Sequence, residues 1–188
     1  MSARRTANEE LTREAILDTA RQLFIENGYD KTSMRQVATE LKCSHGAIYY
    51  HFKNKADLFQ AVVSYDFSKL DILIDEIMAT DSQPLEKCRE ILLKYIKFGL
   101  QNKSHYEMMF MLKDQEVQGY LQDHPNQSYE KFADALHLLT NGQMTIKNMW
   151  CLFLSLHGFV SYYCYTSQTF DDVQVLAEAH VAFLMKGM

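Results

Sequence analysis

Apolar residues recur along this chain with the period of amphipathic helices, and nowhere with the strict alternation of a half-buried strand. Ile16, Ala20, Leu23 and Phe24 fall at i, i+4, i+7 and i+8, which predicts a helix over 8–27. Gly28 follows the last apolar pair, where a helix end favours a residue that tolerates positive φ. Thr32 and Ser33 then offer an N-cap for a short second helix carrying Met34, Val37, Ala38 and Leu41. Lys42 and Cys43 make a turn, Ser44 caps a third helix containing Ile48 and Phe52, and Asn54 caps a fourth that runs to about residue 78. Two short helices joined by a tight turn over 33–52 predict a helix-turn-helix, whose second helix enters the major groove of DNA.

The remainder reads as further helices. Asp81 or Ser82, followed by Pro84 in a first-turn position, opens one over 82–101. Others are expected over 104–113, 128–140, 145–165 and 170–185, with a polar break over 122–126 and a stop at Asn141 and Gly142. The expected fold is all-α, about nine helices, with a three-helix head over 1–54 and a helical body over 55–188. Two prolines and seven glycines in 188 residues agree with so little interruption.

Composition narrows the function classes. A hydrophobic fraction of 47% with 23% charged residues is the balance of a soluble globular chain. The formal charge is −5, yet residues 1–55 carry nine Lys/Arg against seven Asp/Glu, and residues 56–188 carry ten against seventeen. A mildly basic head on an acidic body suits a protein that offers one end to phosphate. Cys43, Cys88, Cys151 and Cys164 show no CxxC spacing, so neither a zinc knuckle nor a disulfide framework is indicated. The polar N-terminus lacks a signal-like apolar run, and no stretch approaches membrane-spanning length, so a cytoplasmic protein without membrane association is expected. There is no Glu-x-x-His, no His-Glu-x-x-His and no clustered nucleophile and base, so no enzyme, metal site or cofactor is expected.

The third helix carries the candidate chemistry. Ser44, His45, Tyr49, Tyr50, His51, Lys53 and Lys55 crowd together around Gly46, Ala47 and Ile48. A recognition helix needs small residues where the backbone approaches base edges, and hydroxyls and cations where phosphates pass. Two adjacent tyrosines on so short a helix cannot both be core, so at least one ring faces outward. Periodicity alone leaves open that both pack against the fourth helix, with His51 an ordinary surface residue.

The stretch Asp30-Lys-Thr-Ser-Met-Arg-Gln-Val-Ala-Thr-Glu-Leu-Lys-Cys-Ser-His-Gly-Ala-Ile-Tyr-Tyr-His-Phe-Lys-Asn-Lys resembles the DNA-binding signature of the TetR family of regulators. The resemblance covers roughly residues 9 to 60, and its Tyr-Tyr-His-Phe-Lys-Asn-Lys tail is specific. It implies that Ser33 holds a phosphate, that Arg35 reaches a base edge, and that Ser44, His45 and Gly46 face the groove. It further implies that Tyr49, Tyr50 and His51 clamp the DNA backbone, Tyr49 also touching a base, and that Lys55 meets phosphate. Arg35 has the fork for a bidentate guanine contact, and Lys55 would add its charge to the positive end of a helix. The family's Ala-Gly-Val turn is Leu41-Lys42-Cys43 here, which places a lysine where a left-handed residue is needed, at about 1 kcal/mol relative to glycine.

For the body, the resemblance implies dimerisation through the last two helices and an inducer pocket. The expected partners are a double-stranded operator, a second copy of the chain and a small, mostly apolar inducer. The helix over 145–165 is apolar nearly all round, which suits a subunit interface as well as the centre of a monomer. Ser155, Gly158 and Tyr162 form its candidate interface stripe, while Trp150, Phe153, Leu154, His157 and Ser161 are assigned to the interior. Trp150 with His157 and Gly158 also resembles a Trp…His-Gly element of one TetR subgroup. Candidate pocket residues are Tyr95, Phe98, Met108, Met109, Met111, Trp150, Phe153, His157 and Tyr162, against the alternative that such stripes are plain core. The expected mechanism is repression by a dimer whose recognition helices lie about 34–36 Å apart on a palindromic site. An inducer would release it by swinging the fourth helix, with Lys55 at the junction of head and body.

Overall fold

The computed structural model describes residues 11–111 and 124–188. Among the described residues the chain is built of α-helices without strands: α1 (Arg13–Asn27), α2 (Met34–Glu40), α3 (His45–His51), α4 (Lys55–Met78), α5 (Pro84–Gln101), α6 (Lys103–Phe110), α7 (His124–Leu139), α8 (Ile146–Cys164) and α9 (Phe170–Leu184). They group into two compact units, Met1–Val62 and Val63–Met188. The division falls eight residues into α4 rather than at its start, because Leu58, Phe59 and Val62 are buried with the head.

Local chemistry fixes most of the helix ends. The Thr12 hydroxyl accepts from the Ala15 amide and starts α1, so the helix begins at Arg13; the expected start at Asn8 lies outside the described residues. Gly28 ends it at φ 82°. Ser33 and Gln36 form a reciprocal capping box at α2, while the buried Thr32 hydroxyl instead donates to the carbonyls of Leu23 and Gly28. Lys42 does adopt the left-handed turn, at φ 53°. The Asn54 carboxamide accepts from the Asp57 amide at 2.8 Å, and the Asp57 carboxylate accepts from the Lys53 amide at 2.8 Å, which sets the entry to α4.

The head packs α1, α2, α3 and the start of α4 around Ile16, Leu17, Ala20, Phe24, Val37, Ile48, Phe52 and Phe59, each at most 1% exposed. Phe24, Tyr29 and Phe59 meet ring to ring at 5.2–5.8 Å.

In the body, α5 lies against α6, α7, α8 and α9. Gly99 lets α8 come close: a Cβ there would collide with the side chains of Val160 and Tyr106. The Lys103 ammonium donates to the carbonyls of Thr166 at 2.6 Å and Gln168 at 2.8 Å, satisfying chain groups just beyond the end of α8.

Three expectations change. The helix assigned to 128–140 begins at His124, because Pro125 falls in the first turn, where its missing N–H costs nothing. The cap of α5 is Gln83, not Asp81 or Ser82. The buried stripe of α8 is Met149, Leu152, Leu156, Val160 and Cys164, neither of the two stripes proposed from sequence. Leu154, assigned to the interior, is 57% exposed, and Trp150 is 46% exposed. The expected end of α6 at Lys113, and Gln122 and Asp123 of the polar break, lie outside the described residues.

Candidate nucleic-acid interface

α3 is anchored from one side. Its N-cap, Ser44, accepts from the Ala47 amide at 3.2 Å, and Ile48 and Phe52 point into the head core. The Arg13 guanidinium lies 5.0 Å from the centre of the Phe52 ring and closes that side. With Ile48 inward, the 100° step per residue turns the opposite face to solvent. That face carries Gly46 and Tyr50, with Tyr49 at its flank, all exposed, and Ser44 and His45 are exposed at the helix start. Tyr50 is 87% exposed and Tyr49 47%, so both rings face outward. His45 lies edge-on to Tyr49 at 4.9 Å and His51 edge-on to Tyr50 at 5.2 Å, which restrains two rings that nothing in the core holds. A Cβ on Gly46 would meet nothing within 4 Å, so the backbone is bare there and open to close approach.

Arg35 and Ser33 are exposed on α2 and its cap. The Ser33 hydroxyl is engaged with Gln36, donating to its carboxamide oxygen at 2.9 Å and accepting from its amide at 3.3 Å. A phosphate there would share an oxygen already used in the cap. Lys55 has a task that sequence reasoning missed. Its ammonium donates to the Tyr29 carbonyl at 2.9 Å and sits 4.1 Å from the centre of the Tyr29 ring. It ties the start of α4 to the loop between α1 and α2. A lysine's reach of 26 residues back along the chain has no local sequence signal.

The body residues singled out as a pocket divide differently. Tyr95 and Phe153 border a narrow apolar space, together with Phe67, Phe110, Tyr129 and Phe132, which sequence reasoning did not find. Leu70 and Ser128 complete its wall, and the space measures about 10 Å³, enough for one water at most. Phe98, Met108 and Met109 are plain core, and Met111 is half-buried. Tyr162 lies apart from that space: it is 74% exposed on α8 and borders an open groove with Phe159, Tyr163, Leu176, Ala179 and His180. Trp150 stacks on Tyr129 at 4.5 Å.

His157 closes a polar chain that is buried at its two tyrosines and half-buried at His157 and Ser161. The Tyr95 and Tyr106 hydroxyls are 3.0 Å apart, the Tyr106 hydroxyl is 2.6 Å from Nδ1 of His157, and Nε2 of His157 is 3.3 Å from the Ser161 hydroxyl. One proton arrangement satisfies all four: Tyr95 donates to Tyr106, Tyr106 to Nδ1, and Nε2–H to Ser161. Burial holds the His157 imidazole below its ordinary pKa and pushes both tyrosine phenols up, so every member is neutral. The buried Asp66 carboxylate lies 2.8 Å from Nδ1 of the half-buried His105 and joins α4 to α6.

Residues 16–62 match the family described as bacterial regulatory proteins, tetR family. The chain is 38% identical to the HTH-type transcriptional regulator AcrR of Shigella flexneri over 97 residues, half of this chain and 45% of AcrR. It is 25% identical to the HTH-type transcriptional regulator QacR of Staphylococcus aureus over 144 residues, 74% of each. The transcriptional regulator FadR of Bacillus subtilis, solved with stearoyl-CoA, has the same fold, with a TM-score of 0.77 at 16% identity over 94% of this chain and all of FadR. The exposed third helix, the capped turn before it and these likenesses define a helix-turn-helix protein. Within it, residues 16–62 carry the likeness to the tetR family. The AcrR match spans less than half of AcrR's length, and among the described residues no helix is long and apolar enough to cross a membrane.

Proposed function

We propose that the chain is a dimeric, sequence-specific DNA-binding transcription regulator, a repressor released from a palindromic operator by a small molecule. The observation that carries this reading is α3: a helix fixed by Ile48 and Phe52 whose opposite face is solvent-exposed polar and aromatic surface over a bare Gly46 backbone. Readers of base edges are Arg35, His45 and Tyr49, flanking the groove-facing Ser44 and Gly46. Ser33, Tyr50 and His51 hold the phosphate backbone, and Lys55 braces the head while adding its charge nearby.

Dimerisation is supported by the outer face of α8 and α9. There Ile146, Leu154, Tyr162, Val175, Leu176 and Phe183 are each more than half exposed, beside Ser155 and Gly158. So much exposed apolar surface on two neighbouring helices supports an interface with a second copy. Ligand response is supported by the likeness to FadR, a fold that holds stearoyl-CoA in that protein. A ligand acts only through its different affinity for the DNA-binding and released states.

The deciding experiment is binding of the purified protein to a fragment of its own upstream region across a salt series. Sequence-preferring binding that weakens steeply with salt is expected; binding with neither property would overturn the reading.

A further inference from the structure

α2 ends in a backbone motif that glycine ordinarily closes, and a lysine closes it here. The Lys42 amide donates to the Thr39 carbonyl at 3.1 Å and the Cys43 amide to the Ala38 carbonyl at 3.0 Å, a pairing that needs Lys42 in the left-handed region, at φ 53°. The same pair of bonds ends α7. There the Asn141 amide donates to Leu138 at 3.2 Å and the Gly142 amide to His137 at 2.9 Å, with Asn141 at φ 51°. Lys42 and Asn141 are the non-glycine residues at positive φ among the described residues. Asparagine visits this region readily, whereas a lysine brings its Cβ too close to the following carbonyl oxygen. We propose that Lys42 occupies this strained turn as a DNA-backbone contact, an additional phosphate anchor at the edge of the recognition helix. The proposal rests on the DNA-binding reading above and adds one residue to its interface.

The place of the residue carries the argument. Lys42 is exposed, and Ser44, at most about 7 Å of chain further on, opens the groove-facing end of α3. The turn between them is held from both sides. Val37 and Ala38 are buried in the head before it, and the Ser44 hydroxyl accepts from the Ala47 amide after it. The four-carbon stem of Lys42 therefore swings from a fixed base. An element that enters the major groove is flanked by phosphates, and contacts to these set its register. His45 and the bare Gly46 backbone lie three and four residues beyond Lys42, so its ammonium stands at that flank.

In the free protein the strain finds only weak offsets. Glu40, also exposed, lies two residues back, but an exposed ion pair stabilises little in water. The negative end of α2 attracts the ammonium too, and salt screens that attraction. A phosphate differs in kind, because each one neutralised releases condensed counterions from the duplex. The gain from Lys42 thus arises on DNA rather than in the fold, which lets stability and binding move in opposite directions.

The test measures binding of the purified protein to its upstream DNA across a salt series, together with thermal unfolding, for wild type, Lys42→Gly, Lys42→Arg and Arg89→Ala. Lys42→Gly should unfold no earlier than wild type, and up to about 4 °C later, because glycine takes the left-handed turn without strain. It should nonetheless bind roughly three- to tenfold more weakly per head at low salt, with the slope of log K against log salt flatter by about 1 per head. Base preference should stay as in wild type. Lys42→Arg should keep both affinity and slope, and Arg89→Ala, which removes an exposed charge on α5, should change neither. Lys42→Gly that unfolds earlier, or that binds as wild type does, would overturn the proposal. So would weaker binding that Lys42→Arg shares, or that comes with altered base preference. Lys42→Gly matching a wild type that does bind its upstream DNA leaves the regulator reading standing. Wild-type binding without sequence preference or salt dependence overturns that reading, and the contact with it.

Discussion

Replacing Tyr106 by phenylalanine removes one oxygen from the centre of the body's polar chain. Tyr106 is fully buried, and its hydroxyl bridges the Tyr95 hydroxyl and Nδ1 of His157. Its loss leaves a buried O–H donor on Tyr95, costing about 1–3 kcal/mol when unpaired, and a half-buried acceptor on His157 that costs less. A loss of about 2–4 kcal/mol follows, or roughly 5–15 °C in Tm for a chain of this size. Tyr95→Phe alone should cost less, because Tyr106 can still donate to His157. The double variant should cost less than the sum by about 1 kcal/mol, since it removes the orphaned Tyr95 donor. Thermal and urea unfolding of the four proteins measures this directly. A Tyr106→Phe loss below about 0.5 kcal/mol, or strict additivity, would refute the claim that the chain of hydroxyls acts as one unit.

His157 is held below its ordinary pKa by burial, so it stays neutral in the fold. Both states are neutral above its unfolded pKa of about 6.5. As pH falls below that, only the unfolded chain takes the proton, and stability is lost. Wild type should therefore lose more stability than His157→Gln between neutral pH and the lower pKa of the folded imidazole; an identical loss in both proteins would exclude His157 as the source. Gly99→Ala should cost about 1–3 kcal/mol by forcing α5 and α8 apart, read by chemical denaturation. Tyr50→Ala should leave stability within about 0.5 kcal/mol of wild type while weakening operator binding, because the ring touches no core. Lys55→Ala should lower head stability by about 1–3 kcal/mol through the lost Tyr29 contacts, besides weakening DNA binding; unchanged stability would leave only the phosphate role. Arg35→Ala should relax preference at one base position at a cost of about 1–3 kcal/mol, measured by operator selection.

Local sequence set many of the helix boundaries, though not the start of α7 or the cap of α5. Ser33, Ser44 and Asn54 cap what they were expected to cap, and Gly28, Lys42, Asn141 and Gly142 take positive φ where a stop or turn was expected. These outcomes depend on bonds between residues three or four apart, so a short window contains their cause. The outward face of α3 was legible for the same reason: Ile48 and Phe52 define its inner stripe. α8 shows the other side. Its surface is apolar nearly all round, so no local feature says which stripe is core, and Met149, Leu152, Leu156, Val160 and Cys164 were chosen by the helices packed against it. Lys55 reaching Tyr29, Tyr106 meeting His157, and the aromatic walls of the body cavity join residues 26 to 86 positions apart. Only the tertiary structure decided these, because contact across that much chain is set by how whole helices pack and not by the residues alongside each one.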